Sequence, residues 1–554
     1  LVALDISEDG GSNWIVTDTS VTGDIGSAVT AGVGNTITWD VGTDFDNQYE
    51  SDMRVRLRAT DKYTNQGNIV QSSNFVVDTE NASIANVSAL QTGSSNDVVF
   101  TYDLTDSSST DLTVELDISN DGGSTWTVTD TSVTGAVGSG QSIGSSQTIT
   151  WDAGTDFDDQ YEADMQVRIR AADKYSNQGD YSASSNFALD TADPSISNLS
   201  ASQTLGTTNV VINYDLADDN GSSLTVELDI SEDGGSTWTV TDTSVTGDVG
   251  SSLPSGAGKS ITWDADADFD NQYQTDIRVR LRASDSYANQ SAYSESSNFV
   301  VDTKNPVVST VSASQTAGTT NVEITYDLSD DSTTGLTVEL DISEDSGSTW
   351  TVTDTSVTGD VGSGVSTGAG NSITWDAGTD FNGESQSDLQ VRVRAIDKYT
   401  NQGSYSNSSD FAVDTVGPVV SSVSAVQTVG GTDVVISYDV ADDNGTNMTV
   451  ELDISEDGGS TWTVTDTSVT GDVGSGVTAG AGKSITWAAD TDFDDQYQAD
   501  MQVRIRATDD YSIQGSYSAS SNFLVDTANP VVSSVSASQT AGTTNVEITY
   551  DLSD

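Results

Sequence analysis

Cysteine and histidine are absent from this chain of 554 residues, and cationic residues are scarce. The two absences exclude disulfides, thiolate chemistry, zinc sites built from these residues and histidine-based acid–base catalysis. Only 18 lysines and arginines stand against 86 acidic residues, which gives a formal charge of −68. Because a polyanion of this size repels phosphate, nucleic acid is not expected as a partner. Divalent cations or a saline habitat would screen the self-repulsion.

Long apolar runs and prolines are also scarce. No stretch of about 18 apolar residues occurs, so this segment predicts no membrane span. Threonine, serine, valine and aspartate are abundant instead, a mixture that favours strands and turns over helices. The 10 tryptophans, 18 tyrosines and 11 phenylalanines are enough for several small cores.

The chain is an internal repeat. The string Leu-Asp-Ile-Ser recurs at a constant spacing of 112 residues, beginning at Leu4, Leu116, Leu228, Leu340 and Leu452. This period is too long for a solenoid and matches one β-sandwich domain. The predicted domains are a partial sandwich at 1–79, repeats at 80–191, 192–303, 304–415 and 416–527, and a partial sandwich at 528–554. Short proline-containing joints predict a semi-rigid rod.

About seven strands, lettered A to G, are predicted in each repeat. In the repeat 304–415 they lie near VVSTVSAS (A), NVEITYDLS (B), LTVELDIS (C), STWTVTD (after a glycine turn), NSITWDA (E), LQVRVRAID (F) and SSDFAVDT (G). Apolar residues of strands B and C alternate with polar ones, as expected for sheets that face one core.

The tail of the repeat, LQVRVRAIDKYTNQGSYSNSSDFAVDT at 389–415, resembles strands F and G of the fibronectin type III family. The resemblance covers every repeat, although no tryptophan lies in strand B as that family would have it. It implies an all-β fold: a tandem array of seven-stranded immunoglobulin-like sandwiches that forms an extended rod, as in large bacterial or archaeal surface proteins.

The two part-domains suggest two interpretations. The segment is trimmed from a longer repetitive protein, or the part-domains of neighbouring copies complete each other head to tail, because a half-sandwich exposes strand edges and apolar faces. Both interpretations predict a continuous rod or filament.

The turn after strand C, SEDGGSTW at 231–238, has three interpretations. With the two residues before it, the stretch from Asp229 to Gly234 resembles the start of an EF-hand loop, but Val240 occupies the twelfth position of that loop, where a bidentate glutamate is required. The turn also resembles the Asp-box of sialidases, a structural hairpin in which the matching Ser231 and Asp233 bond to local backbone groups. A structural turn is the favoured interpretation.

Strand F carries all twelve arginines, which alternate with apolar residues. Because strands C and F pair in a fibronectin-like sandwich, Glu227 and Asp229 are expected to form ion pairs with Arg280 and Arg282. A sialidase-like arginine clamp for a carboxylate ligand is the less favoured alternative.

The two tryptophans of each repeat, such as Trp238 and Trp263, are expected to pack in the core or at an edge rather than to form a carbohydrate platform. Sequons at 220–222 and 444–446 permit glycosylation.

Aspartates near the joints are the best candidates for metal ligands. The loop before strand F carries Asp152, Asp156 and Asp158, the joint adds Asp190, and the next B–C loop adds Asp215, Asp218 and Asp219. In the fibronectin-like topology these loops meet at the joint, where their oxygens could supply the ligands that Ca²⁺ requires. The alternative is a solvated acidic surface.

These patterns predict an extracellular structural protein, namely a rod, stalk or head-to-tail filament at the cell surface with joints stiffened by Ca²⁺. The alternative is an adhesin stalk whose loops or tryptophans bind glycan or a partner surface. No enzyme is expected, because a catalytic site copied in every repeat without cleft-forming insertions is improbable.

Overall fold

The computed structural model describes residues 1–107, 110–221, 223–443 and 447–554. The sequon at 220–222 ends on a residue outside these ranges, and the sequon at 444–446 lies entirely outside them. The chain forms two compact units. The first comprises Leu1–Gln203, Asn209–Asp268 and Gln274–Val301, and the second comprises Thr204–Thr208, Phe269–Tyr273 and Asp302–Asp554. The domain boundaries derived from the sequence remain predictions.

Strands make up most of the regular structure. Residues 1–79 contain β1 (Val2–Ser7), β2 (Val21–Gly23), β3 (Ile37–Trp39), α1 (Val41–Asp44), β4 (Tyr49–Ala59), β5 (Val70–Gln71) and β6 (Phe75–Asp78). Residues 80–191 contain β7 (Ser83–Gln91), β8 (Asp97–Thr105), β9 (Leu112–Ser119), β10 (Val133–Gly135), β11 (Gly138–Gln141), β12 (Gly144–Asp152), α2 (Ala153–Asp156), β13 (Tyr161–Ala172), β14 (Ser182–Ala183) and β15 (Phe187–Asp190). Residues 192–303 contain β16 (Ser195–Gln203), β17 (Asn209–Ala217), β18 (Leu224–Ser231), β19 (Val245–Gly247), β20 (Gly250–Leu253), β21 (Gly256–Asp264), α3 (Ala265–Asp268), β22 (Tyr273–Ser284), β23 (Ser294–Glu295) and β24 (Phe299–Asp302).

The same order continues toward the end of the chain. Residues 304–415 contain β25 (Val307–Gln315), β26 (Asn321–Ser329), β27 (Leu336–Ser343), β28 (Val357–Gly359), β29 (Gly362–Val365), β30 (Gly368–Asp376), α4 (Ala377–Asp380), β31 (Ser385–Ile396), β32 (Ser406–Asn407) and β33 (Phe411–Asp414). Residues 416–527 contain β34 (Val419–Gln427), β35 (Asp433–Ala441), β36 (Met448–Ser455), β37 (Val469–Gly471), β38 (Gly474–Val477), β39 (Gly480–Ala488), α5 (Ala489–Asp492), β40 (Tyr497–Thr508), β41 (Ser518–Ala519) and β42 (Phe523–Asp526). Residues 528–554 contain β43 (Val531–Gln539) and β44 (Val546–Ser553).

Each complete repeat is built from two antiparallel sheets. In the repeat 304–415 one sheet has the order β25-β26-β30-β28, and the other has the order β29-β27-β31-β32, with β33 also paired to β31. The other complete repeats have the same strand order. The predicted all-β sandwich is therefore confirmed.

The core of the repeat 304–415 lies between its two sheets. The alternating side chains Val322, Ile324 and Tyr326 of β26 are buried, as predicted, and pack with Trp375 of β30. The ring of Trp375 lies 6.2 Å from that of Phe381, centroid to centroid. Period-2 alternation in the sequence thus sorts residues between the core and the solvent.

The strand prediction was wrong in one segment and incomplete in another. The segment STWTVTD at 348–354 is not a strand; its Val352 makes an isolated bridge to Ile342. The reason is local, because Ser346 and Gly347 have φ values of 52° and 81° and Asp345 holds the chain that follows as a loop. The short strands β28 and β29 were missed, since three or four residues carry little periodicity.

Predicted strand G at 408–415 contains only β33, and the short strand β32, which was not predicted, lies before it with a break between the two. At the break, the hydroxyl of Ser408 accepts a hydrogen bond of 3.1 Å from the backbone N–H of Val391, in place of a backbone carbonyl. Pairing with β31 is therefore interrupted between β32 and β33. The helices α1 to α5 have four residues each, and no helix in the described parts of the chain is long and apolar enough to cross a membrane.

Candidate metal centres at the repeat joints

The turn at 231–238 bonds its polar groups internally. The hydroxyl of Ser231 accepts from the backbone N–H of Gly235 at 2.8 Å and donates to Asp233 Oδ1 at 2.8 Å. The backbone N–H and the hydroxyl of Thr237 both donate to the Asp233 carboxylate at 2.8 Å. These bonds lower the pKa of Asp233 to about 2, and the bond from the Thr237 N–H has the largest effect on that pKa. The geometry fits a structural turn.

The predicted ion pairs between facing strands are confirmed. In the pairing of β18 with β22, Asp229 lies opposite Arg280 and Glu227 lies opposite Arg282. The nitrogen–oxygen distances are 2.8 Å and 2.7 Å, respectively. These arginines are therefore engaged by acids of their own sheet and do not form an open clamp for an acidic ligand.

The two tryptophans of a repeat have different environments. Trp263 is fully buried in the core, as predicted. Trp238 is half-buried, and the guanidinium carbon of Arg280 lies 4.4 Å from its ring centroid and 3.9 Å from that of Tyr293. The second tryptophan thus belongs to a surface cation–π stack.

Two of the predicted ligands before strand F serve the turn in which they lie. Asp156 accepts from the indole N–H of Trp151 at 3.0 Å. Asp152 caps the short α2 by accepting from the backbone N–H of Thr155 at 3.1 Å. Asp158 is exposed. The hydrogen bonds of Asp152 and Asp156 stabilise the turn after β12.

At the joint itself, the structure brings together two of the predicted ligands with a third aspartate. Burial first, and then the charges of Asp285 and Asp218, raise the pKa of Asp190 to about 6. Asp215 instead accepts hydrogen bonds from Asn198 of β16 and from the backbone N–H of Gly258 in β21, the two strands that flank its own. Asp219 is exposed.

Equivalent aspartates form two compact groups in the second unit. They are the Asp302 triad (Asp302, Asp330 and Asp397) and the Asp414 triad (Asp414, Asp442 and Asp509). In each triad, one oxygen from each carboxylate lies within 4.8 Å of the others. In each, two of the three residues are buried and the third is half-buried.

The Asp414 triad joins two consecutive repeats. Asp414 is the last residue of β33, whereas Asp442 follows β35 and Asp509 follows β40 of the next repeat. Nearby, the backbone N–H of Gly318 donates to the backbone oxygen of Asp510 at 3.0 Å across the same joint. The triad therefore lies where one sandwich contacts the next.

The linker of this joint packs tightly on the loop after β40. A Cβ added to Gly417 would lie 3.2 Å from Cγ2 of Ile513 and 3.2 Å from the backbone of Gln514. Glycine permits this close approach, which positions the loop that carries Asp509.

The Asp302 triad is held by neutral donors. The side-chain amide of Asn401 donates to the backbone oxygen of Asp302 at 2.9 Å and to Asp397 Oδ2 at 2.8 Å. The hydroxyl of Ser332 donates to Asp302 Oδ2 at 2.5 Å. Oδ1 of Asp330 is buried without a hydrogen-bond partner among the described residues.

In the Asp414 triad, backbone N–H groups bond to Asp509 and Asp414 as their equivalents do to Asp397 and Asp302. Oδ1 of Asp509 accepts from the backbone N–H groups of Tyr511 at 2.9 Å and Ile513 at 2.8 Å. Oδ2 of Asp509 is buried and has no hydrogen-bond partner within the described ranges. Asp414 Oδ1 accepts from the backbone N–H of Val416 at 2.9 Å.

Burial shifts the ionisation of both triads in the same direction. Desolvation, followed by the charges of Asp442 and Asp509, raises the pKa of Asp414 to about 6. Desolvation and then the charge of Asp302 raise the pKa of Asp330 to about 6. The protein alone therefore leaves the negative charge of these carboxylates incompletely compensated.

The third member of each group, namely Asp285, Asp397 or Asp509, was not among the ligands predicted from the sequence. A signal was present, because an aspartate follows strand F at the constant spacing of 112 residues. It was overlooked because this Asp-x-Tyr pattern also closes a local turn, as the bond from the N–H of Tyr511 to Asp509 shows.

The chemistry of both triads fits a hard cation. Carboxylate and backbone carbonyl oxygens are the ligands that Ca²⁺ and similar ions prefer. Asp330 and Asp509 each have a buried carboxylate oxygen to which no described residue donates, and such oxygens are costly unless a cation or proton compensates them. Two buried aspartate triads that could hold a metal ion are thus present.

Comparison with known proteins gives structural similarity at low sequence identity. No family model matches the chain, and no curated protein matches it in sequence. Solved structures with similarity include Sidekick-1 immunoglobulin domains 1–5, with 9% identity over 94% of each chain and a TM-score of 0.22. Extracellular domains 3–5 of Drosophila OTK match at 10% identity over 59% of this chain and 97% of that one, with a TM-score of 0.15. The sialic acid binding region of a Streptococcus sanguinis SK1 adhesin, bound to 3'sLn, matches at 12% identity over 60% and 77%, with a TM-score of 0.17.

Scores this low carry no argument about function. The class of the protein follows from its own strand order, in which two antiparallel sheets recur in each complete repeat. The chain is a tandem array of immunoglobulin-like β-sandwiches.

Proposed function

We propose that this chain is an extracellular structural protein of a bacterial or archaeal cell surface, in which tandem sandwiches form a rod or stalk and Ca²⁺ stiffens the joints. The observation that carries the proposal is the Asp414 triad, whose carboxylates come from two consecutive repeats. An ion bound to all three would tie the last strand of one sandwich to two loops of the next.

Electrostatics support a cation at this position. One oxygen from each carboxylate of the triad lies within 4.8 Å of the others. Two unit charges at that distance repel by about 3 kcal/mol at an effective dielectric constant of about 20, and burial adds a desolvation cost. A divalent ion removes both penalties. Ca²⁺ suits an irregular set of carboxylate and carbonyl oxygens better than Mg²⁺, which demands octahedral geometry.

The remaining motifs have mechanical roles in this proposal. We assign the turn at Ser231 and Asp233 to the Asp-box type, a hairpin closed by its own hydrogen bonds. The ion pair of Asp229 with Arg280 ties two strands of one sheet. The formal charge of −68 keeps neighbouring arrays apart. We assign no enzymatic activity to the chain.

Thermal unfolding of the full chain tests the cation. We expect CaCl₂ to raise the unfolding midpoint relative to protein with a chelator. Asp414→Asn should remove part of that response, whereas Asp494→Asn, which makes the same charge change at an exposed position, should retain it. Identical wild-type curves with CaCl₂ and with chelator would refute the cation-stiffened joint.

Head-to-tail association is part of the same proposal. Copies of the chain would join end to end and so extend the rod into a filament. Light scattering on the purified chain tests it: concentration-dependent oligomers are expected, and a monomer at all concentrations would exclude it.

An adhesin stalk is the second candidate. The observation that favours it is Trp238, which remains half-buried at the surface beside Arg280. Glycan-array binding that is lost in Trp238→Ala, with the fold intact, would support this candidate. No glycan binding by the wild-type chain would eliminate it.

A further inference from the structure

One position distinguishes the Asp414 triad from the equivalent groups. The loop after strand F has asparagine at 177, 289 and 401, but isoleucine at 513. Asn401 closes the Asp302 triad by donating to Asp397 Oδ2 and to the backbone of Asp302. The side chain of Ile513 has no donor, so it cannot make the equivalent bonds.

The missing donor leaves a specific oxygen unsatisfied. Asp509 is 8% exposed, and its Oδ2 lacks a hydrogen-bond partner among the described residues. The equivalent Oδ2 of Asp397 is occupied by the amide of Asn401 at 2.8 Å. A cation at the Asp414 triad therefore finds a buried ligand atom, Oδ2 of Asp509, that no donor in the described part of the chain holds.

The charges near the two triads also favour a cation more at the Asp414 triad than at the Asp302 triad. Near the Asp302 triad, Lys304 pairs with Asp331 at 2.7 Å, and the charge of Lys398 acts on Asp302. At the corresponding positions of the next repeat stand Val416 and Asp510. Two positive charges are thus replaced by a neutral residue and a further negative one, which increases the attraction for a cation.

We propose that the joints are graded: a hard divalent cation is an integral part of the Asp414 triad, whereas the Asp302 triad is held mainly by the protein's own donors. This inference rests on the proposed cation-stiffened array and identifies the joint at which the ion acts most. One joint of the array therefore loosens first when the divalent cation is withdrawn. The Asp302 triad still has an unpaired oxygen on Asp330, so it binds the ion more weakly rather than not at all.

Hydrogen exchange of the full chain tests the grading, because the loops 397–403 and 509–515 differ in sequence and give separate peptides. With CaCl₂ as the probe, we expect exchange in 509–515 to slow by about tenfold or more and exchange in 397–403 by about twofold or less. Ile513→Asn should reduce the Ca²⁺ effect at 509–515 and slow its exchange in chelator. Asn401→Ile should increase the Ca²⁺ effect at 397–403.

Two further variants serve as controls. Ile513→Val keeps the apolar side chain and should behave like the wild type. Asp510→Lys restores the positive charge and should weaken the Ca²⁺ effect at 509–515 without altering the fold of the loop. Exchange in 53–59, a stretch of β4 whose sequence occurs once in the chain and which is far from both substitutions in sequence, reports whether a variant remains folded elsewhere.

The outcomes separate the two claims. Equal Ca²⁺ protection of both loops, or an unchanged response in Ile513→Asn and Asp510→Lys, would overturn the grading but leave the cation-stiffened array intact. No Ca²⁺ protection of either loop, together with an unchanged unfolding midpoint, would overturn the proposed function and the grading with it.

Discussion

The side-chain amide of Asn401 donates a hydrogen bond of 2.9 Å to the backbone oxygen of Asp302. Asn289 makes the same bond to Asp190 at 3.1 Å, one period earlier in the sequence. In both places a single side chain of the loop after strand F holds the end of the preceding repeat's last strand. This neutral contact lies beside the carboxylates of each of these two joints.

Asn289→Ala should weaken the joint at Asp190. Asn289 is 3% exposed and also donates to Asp285 Oδ2 at 2.9 Å, so its loss leaves buried acceptors without a partner. Such a loss costs about 1–3 kcal/mol, and we expect the free energy of opening, measured by hydrogen exchange of 285–291, to fall by this amount. Asn65→Ala is the matched control, because Asn65 is exposed and bonds to Asp61 of its own loop. Equal effects of the two substitutions would contradict the cross-joint role.

The metal-free protein should be more stable at pH 5 than at pH 7. Burial raises the pKa of Asp414 from 3.8 to about 6 in the folded protein. A raised folded pKa contributes stability that is complete below the unfolded value and is lost as the pH rises through the folded value, here between about 4 and 6. Below about pH 4 the opposite applies to Asp233, whose folded pKa is lowered to about 2.

Thermal unfolding of metal-free protein across this pH range provides the measurement. At low pH, protonation of many other carboxylates also reduces the negative charge of the protein. Comparing the pH dependence of the unfolding midpoint in the wild type and in Asp414→Asn separates the contribution of Asp414 from this general effect. The pH 5 advantage should shrink in the variant and, in the wild type, reverse at saturating CaCl₂, since protons and the ion compete for the same oxygens. A variant with an undiminished pH 5 advantage would disprove the assignment to Asp414.

Arg280→Ala should destabilise its sheet by about 1–2 kcal/mol, because it removes an ion pair with Asp229 and stacking on Trp238 and Tyr293. Arg280→Lys should retain roughly half of this stabilisation. Urea unfolding in low salt and in 1 M NaCl separates the contributions, since salt screens the ion pair but not the packing. A loss that disappears entirely in high salt would show that stacking contributes nothing.

Trp375→Ala should cost about 3–5 kcal/mol, because Trp375 is 0% exposed in the core between two sheets. Trp350→Ala should cost about 1 kcal/mol, since this half-buried ring mainly supports Arg392, whose guanidinium lies 4.4 Å from it. Urea unfolding of both variants provides the comparison. Equal costs would mean that Trp350 is also a core residue.

Strand positions and ion pairs were largely accessible from the sequence. The alternation of Val322, Ile324 and Tyr326 assigns a face to each side chain because the period of a strand is two residues. The pairing of Asp229 with Arg280 followed once the two strands were placed side by side. The strand prediction at 348–354 was wrong because hydrogen bonds to the Asp345 side chain stabilise a loop there, and strand propensity does not take such bonds into account.

The candidate site could be predicted from the sequence only in part. Asp190 and Asp218 were selected, and the charge of Asp218 acts on Asp190, but so does that of Asp285, which was not selected. Asp156 was selected for its acidity, yet its carboxylate bonds to Trp151 inside one turn. Among 86 acidic residues, acidity alone does not distinguish a ligand from a turn residue.

The sequence by itself determined the period of 112 residues, because the same string recurs at that spacing, and the face of each strand side chain, because strands alternate over short distances. Tertiary structure decided which aspartates meet. Asp414 ends a strand of one repeat, whereas Asp442 and Asp509 lie in two loops of the next, and only the packing of consecutive sandwiches brings their oxygens within 4.8 Å. That packing also gives Ile513 its importance, since a missing amide matters only where a buried carboxylate faces it.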